Sequence, residues 1–243
     1  RWLWMAPELP PAEPEAWKPG TAHLEATGLA IFRRDKGRTY VSVDYGEPGG
    51  GHGHPDRLNL TAVLQGVPWL LDFGTASYVA PSLAWYRATL AHNAPLVDGV
   101  SQAPARGQCV AFDERGEYGW VCAILPPETA FDAAALQRTV VVTPQYLLDI
   151  VQLRSETGDR QLALPWHGLG RVQADEHGLV FTRPEGTLRM HLSARQPFQV
   201  LVQRGPGPPS LTGGAAEEMD YAVALATGES VTLVACLDPG GAV

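Results

Sequence analysis

The sequence predicts an all-β fold, an antiparallel β-sandwich or stacked multi-sheet domain of about a dozen strands. Three observations lead there. The 26 glycines and 21 prolines are spread along all 243 residues, so turn residues punctuate the whole chain. Short apolar or alternating runs recur between them. Long stretches with a 3.6-residue apolar repeat are missing.

Residues 1–27 read as an extended, Pro-rich arm or linker, with the prolines gathered between Pro7 and Pro19. The β-domain then spans residues 28–243. Leu29–Phe32 and Thr39–Asp44 flank Asp35-Lys36-Gly37, a hairpin turn. Leu58–Leu64 and Pro68–Phe73 flank Gln65-Gly66-Val67, a second hairpin. Ser82–Leu90 is expected to be a short helical or irregular insertion. Further strands are expected at Gln108–Phe112, Tyr118–Leu125, Leu136–Val142, Tyr146–Arg154 and Gln161–Trp166. The series continues with Gly178–Thr182, Thr187–Ser193, Gln199–Gln203, Tyr221–Leu225 and Ser230–Cys236. No internal repeat of fixed period is visible.

Composition narrows the function. Hydrophobic residues make up 45% of the chain, ordinary for a globular domain, and the net charge is −8. No basic cluster of the kind that binds nucleic acid is present. No apolar run approaches a membrane span, and the N-terminus lacks the three regions of a signal peptide. The compartment is not readable from the residues. Cys109, Cys122 and Cys236 form no metal-type CxxC pair and are odd in number, so buried free thiols are expected. Arg1 stands where an initiator Met would, so the chain is expected to be a processed or excised piece.

The chemistry concentrates at Gly49–Asp56, Gly-Gly-Gly-His-Gly-His-Pro-Asp. His52 and His54, two residues apart, point to the same side of an extended backbone. The surrounding glycines clear space for backbone or ligand to approach closely. Asp72 closes an otherwise apolar strand, Leu70-Leu71-Asp72-Phe73-Gly74, as a turn cap or a ligand. His92, in Ala91-His92-Asn93-Ala94, is a third imidazole, either a hydrogen-bonded core histidine or a ligand. Together His54, Asp72 and His92 make a three-ligand shell suited to zinc, with a fourth position left over. Two familiar His-x-His patterns fail. The metallo-β-lactamase arrangement needs a His after Asp56, where Arg57 stands, and a cupin needs a Glu soon after the second His.

A third comparison holds. Gly28–Arg33 and Tyr40–Tyr45 lead into Gly51-His52-Gly53-His54-Pro55-Asp56-Arg57-Leu58-Asn59. Gly66–Gly74, Tyr78, Tyr86–Thr89, Ala91–Gly99 and Gln102 follow in order, with Trp166-His167-Gly168 a weaker echo. This series closely resembles the C-terminal β-sheet domain of the heparinase II/III-like polysaccharide lyases, which include oligoalginate lyases.

The resemblance implies cleavage of uronic-acid-containing polysaccharide by β-elimination. His52 would face the substrate cleft and help neutralise the uronate carboxylate. His54, Asp72 and His92 would hold a structural zinc that fixes the His52 loop. Arg57 and Arg87 are candidates for binding the acidic polysaccharide or oligosaccharide substrate, with Arg106 nearby. The family's Tyr acid/base and its Asn-His pair belong to an N-terminal helical toroid, and nothing in this chain reads as one. The chain is therefore expected to be the C-terminal part of a longer enzyme and inactive alone, with the missing helical domain as its partner. Periplasmic or secreted localisation is the family's leaning. The alternative is a non-catalytic carbohydrate-binding or structural β-sandwich.

Overall fold

The computed structural model describes residues 20–50, 53–210 and 215–242. The chain opens with β1 (Ala22–Leu24), β2 (Leu29–Arg34), β3 (Thr39–Asp44), β4 (Asn59–Leu64) and β5 (Val67–Leu70). These lie in sequence order in a five-stranded antiparallel sheet. Its two tight hairpins follow from local chemistry. Leu64 pairs with Val67 across Gln65-Gly66, both at positive φ (55° and 83°), which suits the twist of the flanking strands. Val67 thus belongs to the strand and not to the turn.

The insertion after β5 contains α1 (Leu83–Tyr86) and a 3-10 turn at Thr89–Ala91, as expected for Ser82–Leu90. Then come β6 (Leu96–Val97), β7 (Gln108–Arg115), β8 (Tyr118–Leu125), β9 (Ala134–Val142), β10 (Leu147–Ser155) and β11 (Arg160–His167). The chain continues through β12 (Arg171–Asp175), β13 (Gly178–Arg183), β14 (Gly186–Ala194), β15 (Phe198–Pro206), β16 (Glu218–Gly228) and β17 (Ser230–Asp238). An eight-stranded sheet has the order β12-β13-β14-β17-β10-β9-β8-β7, and a four-stranded sheet the order β15-β16-β11-β6. Every pairing is antiparallel, so the all-β stacked-sheet expectation holds.

Each run read as a strand coincides with one, except that β5 stops at Leu70 and leaves Leu71, Asp72 and Phe73 of the expected Pro68–Phe73 run beyond it. Strands β1, β6 and β12 were not legible. The first two span three and two residues, too few to alternate. Strand β12 buries only Val172. The sheet also begins at Ala22, inside the segment read as an arm.

Alternation sets the core. In β8 and β9, Val121, Ala123, Leu125, Leu136, Val140 and Val142 are buried, while the residues between them on β8 are half-buried. They join Phe32, Val41 and Leu60 of the first sheet and Leu164 and Ala224 of the four-stranded sheet in one continuous core. Cys109, Cys122 and Cys236 are free but half-buried, which corrects the expectation of buried thiols. Cys122 and Cys236 each sit between two buried residues on their strands, so the pleat turns them to the other face. Among the described residues no helix is long and apolar enough to cross a membrane.

One charged pair ties the large sheet to the loops above it. Arg138 and Asp149 are fully buried, and Arg138 grips the carboxylate with Nε at 2.8 Å and Nη2 at 2.6 Å. Its Nη1 donates to the carbonyls of Leu58, at 2.6 Å, and Asn93. Arg138→Met should therefore cost about 3–5 kcal/mol, the range for orphaning one member of a buried pair. Urea denaturation would check this, and a loss below about 1 kcal/mol would sink the assignment.

His167 gives a pH signature. Its ring is buried, stacks on Tyr221 at 4.8 Å and donates from Nε2 to the Leu90 carbonyl at 2.7 Å. Burial pushes its pKa down to about 4 from 6.5. The unfolded chain takes that proton near pH 6.5 and the folded chain only near 4. The stability given by neutral His167 is thus complete above pH 6.5 and drains as pH falls toward 4, by on the order of 3 kcal/mol. Urea midpoints at pH 7 and 4.5 should fall more steeply for the native protein than for His167→Gln. Parallel declines would contradict the assignment.

Candidate functional site

The glycine-rich loop runs between β3 and β4. Gly51 and His52 lie outside the described residues. The backbone folds back on itself so tightly that a Cβ on Gly53 would fall 2.2 Å from the nitrogen of Gly49. Only glycine permits that approach. Three side chains from the 87–102 segment pin the loop. The Thr89 hydroxyl donates to the Pro55 carbonyl, and Arg87 donates to the Gly53 carbonyl at 3.4 Å. Gln102 clamps Arg57 from both sides, accepting its N–H at 2.9 Å and donating to its carbonyl at 2.9 Å.

The same segment delivers His92 beneath the loop. Asn93, fully buried, accepts from the His167 N–H at 2.6 Å and donates to the carbonyls of Leu60 and Leu71 at 2.9 and 3.0 Å. It thereby stitches β4, the β5 exit and β11 together, and its neighbour His92 inherits a fixed position. His92 donates from Nε2 to the Tyr86 carbonyl at 2.9 Å. That bond leaves Nδ1 as the inward nitrogen, a division of labour typical of metal-binding imidazoles.

Carboxylates face that nitrogen. Asp72 Oδ2 lies 3.0 Å from His92 Nδ1, and Asp56 Oδ2 lies 3.9 Å from it. The His54 ring stacks on His92 with centroids 4.9 Å apart, and its Nδ1 is 3.5 Å from Asp56 Oδ2, long for a hydrogen bond. Both ring nitrogens of His54 are buried without a hydrogen-bond partner. One ligand atom each from His54, Asp56 and His92 fall within 4.8 Å of one another. Buried polar atoms are normally satisfied, so the orphaned His54 nitrogens beside the Asp56 carboxylate fit a site able to take a cation.

The electrostatics agree. Burial alone would raise Asp72, but hydrogen bonding and charge from His92 outweigh it and hold the carboxyl below its usual range. Burial likewise opposes ionisation of Asp56, yet the adjacent His54 and Arg57 bring it down. Burial would push His92 down, and the bond to Asp72 with the charges of Asp72 and Asp56 lifts it instead. All three shifts describe carboxylates held as anions against the His92 imidazole.

The structure brings His54 and His92 together and sets Asp72 against His92 Nδ1. It adds Asp56, which sequence reasoning passed over. The signal was present, since His52, His54 and Asp56 alternate along one stretch, but the motif was discarded for its missing final His. Arg57 needs correction as a substrate-binding candidate. It is buried, and its guanidinium donates to Asp56, to Asp44 at 3.0 Å and to the Gly46 carbonyl at 3.1 Å. A guanidinium so engaged braces the loop from within. Arg87 is half-buried at the loop's edge. Tyr45 and Tyr86 are core aromatics: Tyr45 bonds His23 at 2.6 Å with burial pushing its pKa up to about 12, and Tyr86 donates to Gly207 at 2.5 Å.

A stacked antiparallel domain with a buried histidine–carboxylate cluster under a glycine-cleared loop defines a narrow class of β-domain. The chain belongs to the heparinase II/III-like C-terminal family, whose model matches residues 18–214. Heparinase III superposes with a TM-score of 0.79 at 13% identity, over 91% of this chain and 37% of that one. Heparan sulfate lyase HepC from Pedobacter heparinus gives 0.77 at 17% identity, over 94% of this chain and 38% of that one. At such identities the likeness is one of fold. An alginate lyase from Stenotrophomonas maltophilia (strain K279a) is 36% identical over a segment covering 29% of this chain and 11% of that protein. The chain thus spans well under half the length of these relatives.

Proposed function

We propose that this chain is the β-domain of a lyase that cleaves uronic-acid-containing polysaccharide by β-elimination, working with a helical domain outside the chain. In that reaction the uronate carboxylate is neutralised, a base takes the C5 proton, and an acid protonates the oxygen leaving C4. His52 is the group offered here to the carboxylate, with Arg87 a further candidate at the loop's edge. The acid/base belongs to the other domain.

The observation that carries the reading is the buried cluster of His54, Asp56, Asp72 and His92. His54, Asp72 and His92 would hold a divalent metal, zinc by its preference for imidazole and carboxylate. Bound there, the metal supplies structural rigidity. His52 stands two residues from His54 on one short backbone mount, so fixing the second imidazole preorganises the first. The orphaned nitrogens of His54 and the inward Nδ1 of His92 favour this fit.

In the presence of excess zinc, His54→Ala should lower the melting temperature more than His52→Ala does. A metal that binds only the folded state stabilises it by mass action, and losing a ligand forfeits most of that gain. Equal melting temperatures would contradict the division of roles.

Activity is read from the ultraviolet absorbance of the conjugated C4–C5 double bond in the product. Residues 1–243 alone should leave alginate and heparan sulfate uncleaved, because a positioned acid/base typically contributes ~10²–10⁴-fold. In the longer enzyme, His52→Ala should lower turnover with the melting temperature unchanged. Robust cleavage by residues 1–243 would place the acid/base within this chain. A longer enzyme silent on every uronate polymer would leave a non-catalytic carbohydrate-binding domain.

A further inference from the structure

We infer that Asp56 is a fourth protein ligand of this metal, so that the site is coordinatively closed by His54, Asp56, Asp72 and His92. The inference rests on the metal reading above and goes beyond its three ligands.

Spacing is the first argument. Tetrahedral ligands at ~2.0–2.1 Å from zinc stand about 3.3–3.4 Å from one another. Three of the six separations lie around that value: 3.0 Å from His92 Nδ1 to Asp72 Oδ2, 3.5 Å from His54 Nδ1 to Asp56 Oδ2, and 3.9 Å from His92 Nδ1 to Asp56 Oδ2. The ligand atoms of His54, Asp56 and His92 lie within 4.8 Å of one another, and Asp72 joins them through His92. Asp56 Oδ2 reaches both imidazoles, so it occupies a corner of the polyhedron and does not merely support one ligand from behind.

Hydrogen bonding is the second. Arg57 engages Asp56 through Oδ1, which leaves Oδ2 as the oxygen turned to the histidines. Asp72 is held in the same manner, with Oδ1 accepting from the Gly74 N–H at 2.6 Å. Its Oδ2 accepts from Asn59 at 2.7 Å and faces His92. Asp56 is anchored by one oxygen and presents the other, while Asp72 is anchored through both and turns Oδ2 to His92.

Charge is the third. The cluster holds the carboxylates of Asp44, Asp56 and Asp72 and the guanidinium of Arg57, which pairs with Asp44 and Asp56. One cation against three anions leaves two negative charges in a buried site. A divalent ion with two neutral imidazoles cancels both, which is the arrangement a desolvated site favours. A closed shell also leaves no position for water, so the ion would be purely structural.

The test replaces the metal with Co²⁺ and reads its visible spectrum. In the native protein, azide should leave the four-coordinate cobalt spectrum unchanged. In Asp56→Asn, metal affinity should fall by at least about 100-fold, beyond the usual cost of losing an outer partner. Azide should then shift the spectrum through the vacated position. An azide-induced shift in the native protein would overturn the inference without any variant. So would an Asp56→Asn protein that binds metal within tenfold of native and stays silent to azide. A native protein that takes up neither zinc nor cobalt would instead sink the metal reading itself, and this inference with it.

Discussion

The fold depends on how the Asn93 peptide and side chain are bonded. Its carboxamide reaches β4, the β5 exit and β11, while its carbonyl accepts from Arg138, which rises from the eight-stranded sheet. Asn93 is thus where all three sheets meet through hydrogen bonds as well as apolar contact. These groups lie where water cannot replace a lost partner, so each bond enforces the others. His92 owes its aim to this junction, and so does the fixed relation between β4, β5 and the loop that brings His54 down.

A second layer of polar contacts, from Thr89 and Gln102, holds the glycine-rich loop by its backbone. Backbone clamping constrains position without demanding particular loop side chains. The loop residues are therefore free to be glycine where the chain must touch itself, and histidine or aspartate where it must present a ligand.

Much of this was legible in the sequence because it is local. Gln65-Gly66 and Asp35-Lys36-Gly37 announce their hairpins, and alternation from Tyr118 to Val142 announces the strands beneath the core. His54, Asp72 and His92 stood out by chemistry and by the order of their segments. What the sequence concealed is non-local. Arg57 and Arg138 look like surface charges until tertiary partners bury them. Asp56 looked like the remnant of an abandoned motif until His54 and His92 closed on it. Strand β12 lacks a pattern because only Val172 faces inward, and it is held by its neighbour's hydrogen bonds more than by its own residues.

Leu58 shows how this loop behaves under stress. Its backbone is left-handed, with φ of 63°, a conformation that costs a branched side chain on the order of 1–3 kcal/mol. It persists because Leu58 is fully buried, its N–H donates to the Asp44 carbonyl at 2.6 Å, and its carbonyl is held by Arg138. The loop is a loaded spring with its latch at one residue. Were the latch to slip, Leu58 would relax and carry Asp56 and His54 away together. The cluster should thus come apart in a single step, all or nothing, and not one side chain at a time.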